Sequence, residues 1–425
     1  MWAIQQDHIN PDLLFIAAEW GLYTSLNGGE NWHRLPGAPT IAFRDLKLHR
    51  RDDDVVGATF GRGFYILDDY GPLRPTAGSA LSGGGGVLPV RDAWWYVPNL
   101  TNQARGRPTL GTMAYAAPNP PFGATFTVHV PELPGTAREA RRDREREQRQ
   151  RGVDVEFPGY ETLRAEAAEQ GPRVLVQVAD ADGVPVRWVE VPAAAGVHRV
   201  TWDLRRPPPD PVDLSTPGFV PPWASDPQGP LAPPGGYVAQ LVVVTGDGVE
   251  EVGVAQPFAV SPVATAPAGT DFVVVAEFQH RAAELRRRIA VASSELSRER
   301  DRLRYMEAAL LETPGADPAL FTELARLGAA FQVLSLRLNG DPVRGGLNQA
   351  SAPSISGRVG NVAGGHWGTR LEPTETQRRN LEIAAAGLVE VERDLVTLVE
   401  GDLMRLEVAL AEAGAPWTPG RRIGG

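Results

Sequence analysis

The stretch that most constrains the fold of this chain is residues 25–32, Ser-Leu-Asn-Gly-Gly-Glu-Asn-Trp. The turn begins at Ser25. The short polar side chain of Asn27 can bond to the backbone amides that follow it, and Gly29 supplies a backbone freedom that other residues lack. The Trp32 ring can anchor the turn on a sheet. These four positions predict a tight hairpin, and we expect their role to be structural.

Short segments of alternating polarity surround this turn and predict strands. A first sheet of four strands is predicted at Ala3–Gln5, Leu13–Ala17, Gly21–Thr24 and Trp32–Leu35. A second sheet of three is predicted at Arg44–Leu48, Val55–Thr59 and Phe64–Leu67. Residues 1–72 are therefore predicted to form the first domain.

The middle of the chain is predicted to be a linker followed by a second β-rich domain. Residues 73–117 are the linker and irregular segment, with Gly-rich sequence from Ser82 to Gly86, a short strand at Ala93–Val97 and irregular chain at Asn99–Tyr115. Residues 118–262 contain six further strand-like segments: Thr125–Val130, Arg173–Ala179, Val186–Val191, Gly196–Leu204, Gly236–Thr245 and Val249–Val260. This pattern predicts an immunoglobulin-like β-sandwich with Trp202 in its core.

A charged insert at residues 137–151 interrupts this second domain. Two interpretations are open for it: a solvated helix with i,i+4 ion pairs, or a disordered excursion. Glu and Asp alternate with Arg in the insert and no aromatic residue lies among them. It therefore does not predict a nucleic-acid interface.

Helical periodicity begins at Asp271, and residues 263–425 are predicted to form an antiparallel helical bundle. Its three helices are predicted at Phe278–Leu311, Pro318–Leu338 and Thr374–Ala413. Asp317 and Thr374 are the predicted N-caps, and Gln377 completes a capping-box spacing with Thr374. The Gly-, Ser- and Asn-rich segment Asn339–Leu371 is predicted to be a long loop.

Composition excludes several classes of function. The net charge of −10 at 425 residues argues against a nucleic-acid-binding or anionic-membrane surface. The chain has no cysteine, and its seven histidines lack metal-site spacing, so no metal is predicted. Without a Gly-rich phosphate loop, no cofactor is predicted either. No apolar run is long enough to predict a membrane span, and residues 1–20 do not read as a signal peptide.

With these segments placed, the chain resembles the C-terminal part of bacterial sortilin-like proteins. These are β-propellers with sialidase-type repeats (Asp-box or BNR repeats), often called glycosyl hydrolases. Residues 25–32 match the Asp-box Ser/Thr-x-Asp-x-Gly-x-Thr-Trp, with Asn27 and Asn31 replacing Asp and Thr. The remaining matching phrases are Asn10–Tyr23, Phe43–His49, Gly57–Asp69, Asn119–Ala124, Gly196–Arg205, Pro234–Tyr237 and Gly414–Arg421.

The resemblance implies a partial propeller of about two blades in residues 1–72, an immunoglobulin-like module after it and a helical tail. We expect the missing blades to lie upstream in a longer parent protein. The family also implies an extracytoplasmic location. The oligomeric state is left open.

The function that the resemblance implies is non-catalytic binding of a protein or carbohydrate partner. The alternative is that the chain is the C-terminal portion of a sialidase-like glycoside hydrolase whose catalytic residues lie upstream. A third possibility is an assembly or chaperone role of the helices. No catalytic residue is predicted within this chain. The candidate ligand-binding residues are Arg62, Arg44 and Glu19, with Arg62 either facing the propeller channel or pairing with a blade carboxylate.

Two groups of aspartates could form sites by composition, but structural roles are predicted for both. Asp68 and Asp69 are adjacent, and neighbouring residues on a strand point to opposite faces, so a turn role is predicted for them. Asp52–Asp54 lack the spaced oxygen ligands of a calcium loop and are predicted to be a solvated hairpin tip.

Overall fold

The computed structural model describes residues 1–76, 84–98, 120–214, 219–221, 226–264 and 269–421, and it combines β-sheets with α-helices. The prediction of a chain built from both β and α structure is confirmed. The chain divides into two compact units. Unit 1 comprises Met1–Arg205 and Pro234–Thr265, and unit 2 comprises Arg206–Pro233 and Ala266–Gly425. The segment predicted to be irregular at 99–115 lies outside the described residues.

Unit 1 begins with two antiparallel sheets in which consecutive strands pair. The first has the order β1-β2-β3-β4 and the second β5-β6-β7. The strands are β1 (Ala3–Gln6), β2 (Leu14–Ala18), β3 (Gly21–Ser25), β4 (His33–Arg34), β5 (Phe43–His49), β6 (Asp54–Thr59) and β7 (Phe64–Leu67). Each sheet follows from the short alternating segments and polar turns of residues 1–70.

The two sheets share one hydrophobic core. It contains Phe15 and Leu22 from the first sheet and Phe43, Leu46 and Val55 from the second, all nearly inaccessible to solvent. The strands come so close together that only glycine fits at one position. At Gly57 a Cβ atom would lie 2.8 Å from the ring of Phe43.

Two further sheets of unit 1 pack together through aromatic side chains. Their orders are β13-β10-β8 and β12-β11-β14-β15-β9. The strands are β8 (Gly86–Val87), β9 (Ala93–Trp95), β10 (Ala124–Val130), β11 (Arg173–Asp180), β12 (Pro185–Val191), β13 (Gly196–Trp202), β14 (Gly235–Thr245) and β15 (Gly248–Pro262). Trp202 lies 5.2 Å from Tyr237 and Phe126 lies 5.5 Å from Phe258, measured between ring centroids. Trp202 is 1% exposed, as the sequence predicted for a core residue.

The segment 73–117 was predicted to be a linker. Regular structure is found on both sides of its Gly-rich part. Residues Gly71–Thr76 form a 3₁₀ helix, in which Leu73 packs on the core of the first two sheets. Gly86 and Val87 form β8, which pairs with β10. Neither element was predicted, because Pro and Gly dominate the local sequence and the contacts that stabilise both elements come from distant parts of the chain.

The charged insert of unit 1 is a helix, α1 (Ala137–Gln150), followed by α2 (Tyr160–Ala168). A capping box between Thr136 and Glu139 starts α1, which has no buried residue. This matches the solvated-helix interpretation and not the disordered one. Arg141 anchors α1 on α2 by donating to Glu166 at 2.7 Å and 2.9 Å.

Unit 2 contains the helices α3 (Phe272–Leu311), α4 (Ala319–Asn339), α5 (Pro342–Gly346), α6 (Ile355–His366), α7 (Glu375–Val396) and α8 (Met404–Glu412), with a π-helical segment at Thr397–Leu403. All of them except α5 contribute to one core, which includes Leu296, Leu327, Phe331 and Leu388. Unit 2 also includes Arg206–Pro233, which the sequence had placed within the second domain, 118–262.

Three predicted features of unit 2 are wrong in detail. Helix α3 starts at Phe272, six residues earlier than predicted, because Asp271 caps it by accepting from the N–H groups of Val273 and Val274. The predicted loop at 339–371 contains α5 and α6. The predicted third helix is interrupted by the π-helical segment, although the predicted capping box of Thr374 and Gln377 does start it.

One helix of unit 2, Ala319–Asn339, is long and apolar enough to cross a membrane by length and composition alone. Core helices of soluble proteins pass the same test. Leu324, Leu327, Phe331, Leu334 and Leu338 of this helix are buried in the core of unit 2. This helix is therefore weak support for a membrane span.

Candidate functional site

The residues of the Asp-box turn bond to one another. Ser25, fully buried, accepts from the N–H of Gly29 at 2.9 Å and donates to the side chain of Asn27 at 3.0 Å. Asn27 in turn accepts from the N–H of Asn31 at 2.9 Å. Gly29 has φ +98°, and Trp32 is 37% exposed beside it. Ser25 and Asn27 are therefore engaged within the turn, as expected for a structural role.

Arg44 and Glu19, two of the three predicted ligand-binding residues, meet at the surface. The guanidinium of Arg44 lies 3.7 Å from the ring centroid of Trp2 and 5.4 Å from that of Phe60. Glu19 accepts from the indole N–H of Trp2 at 2.9 Å and lies 4.0 Å from Arg44. Because the arginine is stacked and the carboxylate already accepts a hydrogen bond, both groups are largely engaged within the chain.

The third predicted residue, Arg62, is separate from this group. It lies in the exposed turn before β7, where its N–H donates to the hydroxyl of Thr59 at 3.2 Å. Its side chain forms no ion pair within the described parts of the chain. The interpretation in which Arg62 pairs with a blade carboxylate therefore has no support in the geometry.

Unit 1 contains a cleft that the sequence did not predict, consisting of two cavities of about 510 Å³ and 430 Å³. Both cavities are lined by Asp69 and Arg91, so they adjoin at these two residues. We call the pair the Asp69 cleft. The first cavity is also lined by Ile9, Asn10, Pro11, Asp53, Gly71, Arg74, Pro89 and Val90. The second is also lined by Asp92, Ala93, Trp94, Tyr96, Pro120, Pro121, Phe122, Gly123 and Thr125.

Asp69 is the buried acidic group of this cleft. It is 7% exposed and has φ +50°. This is a left-handed backbone conformation that residues other than Gly, Asn and Asp seldom adopt. Burial raises the pKa of its carboxyl and Asp53 adds to this, while Arg91, Arg199 and the backbone of Gly71 act in the opposite direction. A strained backbone and a raised carboxyl pKa in one cavity are features of functional sites.

Asp68, next to Asp69, also has a raised carboxyl pKa, because of burial and then because of Asp54. Asp54 accepts from the N–H of Asp69 at 2.9 Å. Asp68 and Asp69 lie in the irregular connection between β7 and the 3₁₀ helix and not in an assigned turn, and Asp69 is a buried carboxyl that lines a cleft.

The wall of the first cavity is fixed by a buried ion-pair network. Arg74 donates to Asp53 at 2.5 Å and 2.6 Å and also to Asp7, which accepts from the hydroxyl of Tyr70 at 2.8 Å. Burial acts to raise the pKa of Asp7, but hydrogen bonds from Arg74, Asn10 and Tyr70 lower it well below its usual range. Asp53 is thus part of this network, which corrects the prediction that Asp52–Asp54 form a solvated tip.

The second cavity carries exposed aromatic rings. Trp94 is 53% exposed and Tyr96 is 37% exposed, and the ring of Tyr96 meets that of Phe122 edge-on at 4.7 Å. The exposure of Trp94 follows from the alternation of side chains along β9, in which its neighbours Ala93 and Trp95 are buried. The rings of Trp94, on β9, and of Tyr96, directly after it, form an apolar surface beside the polar groups of the cleft.

One group of possible metal ligands lies nearby. Single ligand atoms of His49, Asp52 and Asp54 lie within 4.8 Å of one another. Asp52 is paired with Arg51 at 2.7 Å and with His49 at 3.1 Å, and Asp54 lies 3.6 Å from Arg91. Because cationic side chains already oppose these carboxylates, we assign no metal to this group.

Sequence reasoning missed the Asp69 cleft because its lining comes from five separate segments between residues 9 and 125. The local signals were nevertheless present. Asp68-Asp69 ends a strand, and Trp94-Trp95-Tyr96 is an unusual run of aromatic residues. No family model, no curated protein and no solved structure matches this chain.

Proposed function

We propose that this protein is a non-catalytic binding protein and that its ligand is a carbohydrate, bound in the Asp69 cleft. The observation that carries the proposal is the combination of exposed Trp94 and Tyr96 with the charged groups of Asp69 and Arg91 in one concave surface. Sugars present apolar C–H faces that stack on aromatic rings. Their hydroxyls donate to carboxylates and accept from guanidinium groups.

The cleft favours a sugar over a folded protein partner. Its two cavities, of about 510 Å³ and 430 Å³, have the size of small-molecule sites. A protein ligand, the other partner predicted from the sequence, would need a broader surface.

Glycoside hydrolysis is a second candidate, favoured by one observation. A buried carboxyl with a raised pKa, as in Asp69, suits a general acid that protonates a leaving oxygen. In this reading the remaining catalytic groups belong to upstream parts of a longer protein, as the family resemblance implies.

We also propose that the first two sheets are blades of a β-propeller. Their strand orders are simple meanders, and their outer faces remain partly apolar, with Ile4 49% exposed on one sheet and Ile66 59% exposed on the other. Such faces are what further stacked sheets would cover. In the same proposal the other two sheets of unit 1 are an immunoglobulin-like sandwich, and the helices of unit 2 are a bundle.

Carbohydrate binding can be tested with an array of neutral and sialylated oligosaccharides, followed by calorimetric titration of each sugar that is retained. We expect Trp94→Ala to weaken binding by about five- to thirtyfold, because a stacking ring contributes on the order of 1–2 kcal/mol. Trp188→Ala is the matched control, since Trp188 is 47% exposed on β12 and does not line the cleft. Binding that survives Trp94→Ala, or an array without any retained sugar, would refute the proposal.

Hydrolysis is tested on the sugars that bind. Release of reducing ends by the wild type, abolished in Asp69→Asn, would support the second candidate. Because the second candidate places the remaining catalytic groups upstream, the assay uses a protein that includes those parts, and binding without release by that protein supports the non-catalytic function.

A further inference from the structure

The edge strand β7 is an exposed strand built only of apolar residues. Its sequence is Phe-Tyr-Ile-Leu, and Phe64, Tyr65 and Ile66 are 75%, 37% and 59% exposed. It pairs with β6 on one side, and no described strand pairs with its other side. The backbone groups on that side are therefore a template for a further strand.

Two longer edge strands of unit 1, β5 and β12, carry residues that discourage such pairing, whereas the four-residue edge strands β1 and β7 do not. β5 contains Arg44, Asp45 and Lys47, and β12 begins with Pro185 and contains Arg187. Charged side chains and proline are the usual protection of sheet edges. β7 has neither.

The first sheet shows what covers the equivalent edge. There the third strand, β3, pairs with β4 through Tyr23 opposite Arg34 and Thr24 opposite His33. Among the described residues, the second sheet ends at its third strand. An extended strand is thus the element that these meanders accept at this position.

The residues that flank β7 indicate which strand fits. Arg62 precedes it and forms no ion pair within the described parts of the chain. Asp68 follows it and is half-buried, with its carbonyl accepting from Arg199 at 2.9 Å and its carboxylate closer than 4 Å to no cationic group in the described chain. The segment from Arg62 to Asp68 is self-complementary when reversed. In an antiparallel pair of copies centred on Tyr65, Phe64 of one copy lies opposite Ile66 of the other. The end of one strand that carries Arg62 then lies beside the end of the other strand that carries Asp68.

We propose that β7 binds β7 of a second copy of this chain, antiparallel and around a two-fold axis, so that two three-stranded sheets become one continuous six-stranded sheet. The symmetry is that of the commonest protein dimers, in which the same patch serves on both partners. Each dimer contains two Phe64–Ile66 contacts and two pairings of the Arg62 end with the Asp68 end. The inference does not depend on carbohydrate binding.

The mass of the full chain by sedimentation equilibrium tests the pairing. We expect twice the 45.7 kDa of the chain for the wild type, and the single mass for a Phe64→Lys, Ile66→Lys double variant, because lysines on an edge block pairing. Val249→Lys is the matched control. Val249 is 70% exposed, but its strand pairs with β14, so this variant should remain dimeric.

Charge reversal tests the register and remains informative if the lysine variant misfolds. Arg62→Asp alone and Asp68→Arg alone should each raise the dimer dissociation constant by about tenfold, since each creates two like-charged pairs across the strands. The combined variant should return the constant to near the wild-type value. A monomeric wild type, a dimer indifferent to Phe64→Lys with Ile66→Lys, or no recovery in the combined variant would overturn the proposal.

Cross-linking gives a direct readout, because the chain has no cysteine of its own. Oxidation of a mixture of Phe64→Cys and Ile66→Cys chains should give the mixed disulfide in excess over both self-pairs, since these positions are opposite in the proposed register. Tyr160→Cys, 72% exposed on α2, is the control for random collision. Equal yields in all mixtures would contradict the register.

Discussion

Arg74 and Asp7 are joined by two parallel hydrogen bonds, 2.8 Å from Nε to Oδ2 and 3.0 Å from Nη2 to Oδ1. The pair ties the loop after β1 to the 3₁₀ helix Gly71–Thr76, 67 positions later in the chain. The carboxylate of Asp7 is completely shielded from solvent. The same arginine holds Asp53, so one guanidinium fixes the wall of the Asp69 cleft.

Arg74→Met should therefore destabilise unit 1 by about 3–5 kcal/mol, because it leaves the buried carboxylate of Asp7 without its cation. The measurement is urea unfolding of the full chain, followed by a signal of the β-rich unit. Arg51→Met is the matched control. Arg51 pairs with Asp52 at the surface, and its loss should have a much smaller effect. Equal effects of the two substitutions would contradict a structural role of the network.

Asp69→Asn should stabilise unit 1 at neutral pH and weaken carbohydrate binding. The folded pKa of Asp69 is raised above its unfolded value of about 3.9, so ionisation of this group costs stability above the folded pKa. As the pH falls through the folded pKa to below the unfolded one, the wild type regains this stability and the advantage of the variant disappears. Asparagine tolerates the left-handed backbone at this position, so the substitution introduces little strain.

The measurement is the difference in unfolding free energy between wild type and variant across pH 3 to 7, with Asp247→Asn, an exposed residue, as the control. A difference that grows toward acid would contradict the sign. A variant that is more stable but binds less sugar would identify Asp69 as a group kept for function at the expense of stability.

How far the sequence predicted this molecule depends on whether a feature is local. The alternation in residues 1–70, the capping box at Thr374 and the core position of Trp202 are local signals, and the corresponding elements lie close to their predicted bounds. The helix α6 was missed because glycines fill its sequence. Its buried residues Val359, Val362 and Ala363 are spaced for one helix face, and Ser354 caps it.

The candidate site was less predictable than the elements. Arg44, Glu19 and Arg62 were chosen for their charge near turns, but two of them are engaged within the chain and the third is isolated. Asp69 lines a cavity only because the fold places Arg91, Trp94 and Phe122 beside it from other parts of the chain. Burial and neighbouring charges set a pKa, and neither is encoded in local spacing.

Phe331→Ala should destabilise unit 2 by about 3–5 kcal/mol, because Phe331 is completely buried in the shared helical core and its truncation leaves a cavity. The helical circular dichroism signal at rising urea concentration reports this loss. Val333→Ala on the same helix is the control, since Val333 is 55% exposed. A loss of similar size at both positions would mean that the core does not lie on the Phe331 face of α4.

Gly29→Ala and Gly246→Ala should have effects of opposite sign, although both are glycine-to-alanine changes in turns of unit 1. Gly29 has φ +98° in the Asp-box turn, and a Cβ atom there costs about 1–2 kcal/mol whatever space surrounds it. Gly246 has no positive φ and no neighbouring atom within 4 Å of a Cβ position. Alanine there restricts the unfolded chain and should stabilise the protein by about 0.4–1 kcal/mol. Thermal unfolding of both variants against the wild type decides the matter: if Gly29→Ala leaves the transition temperature unchanged, the turn does not need its left-handed glycine.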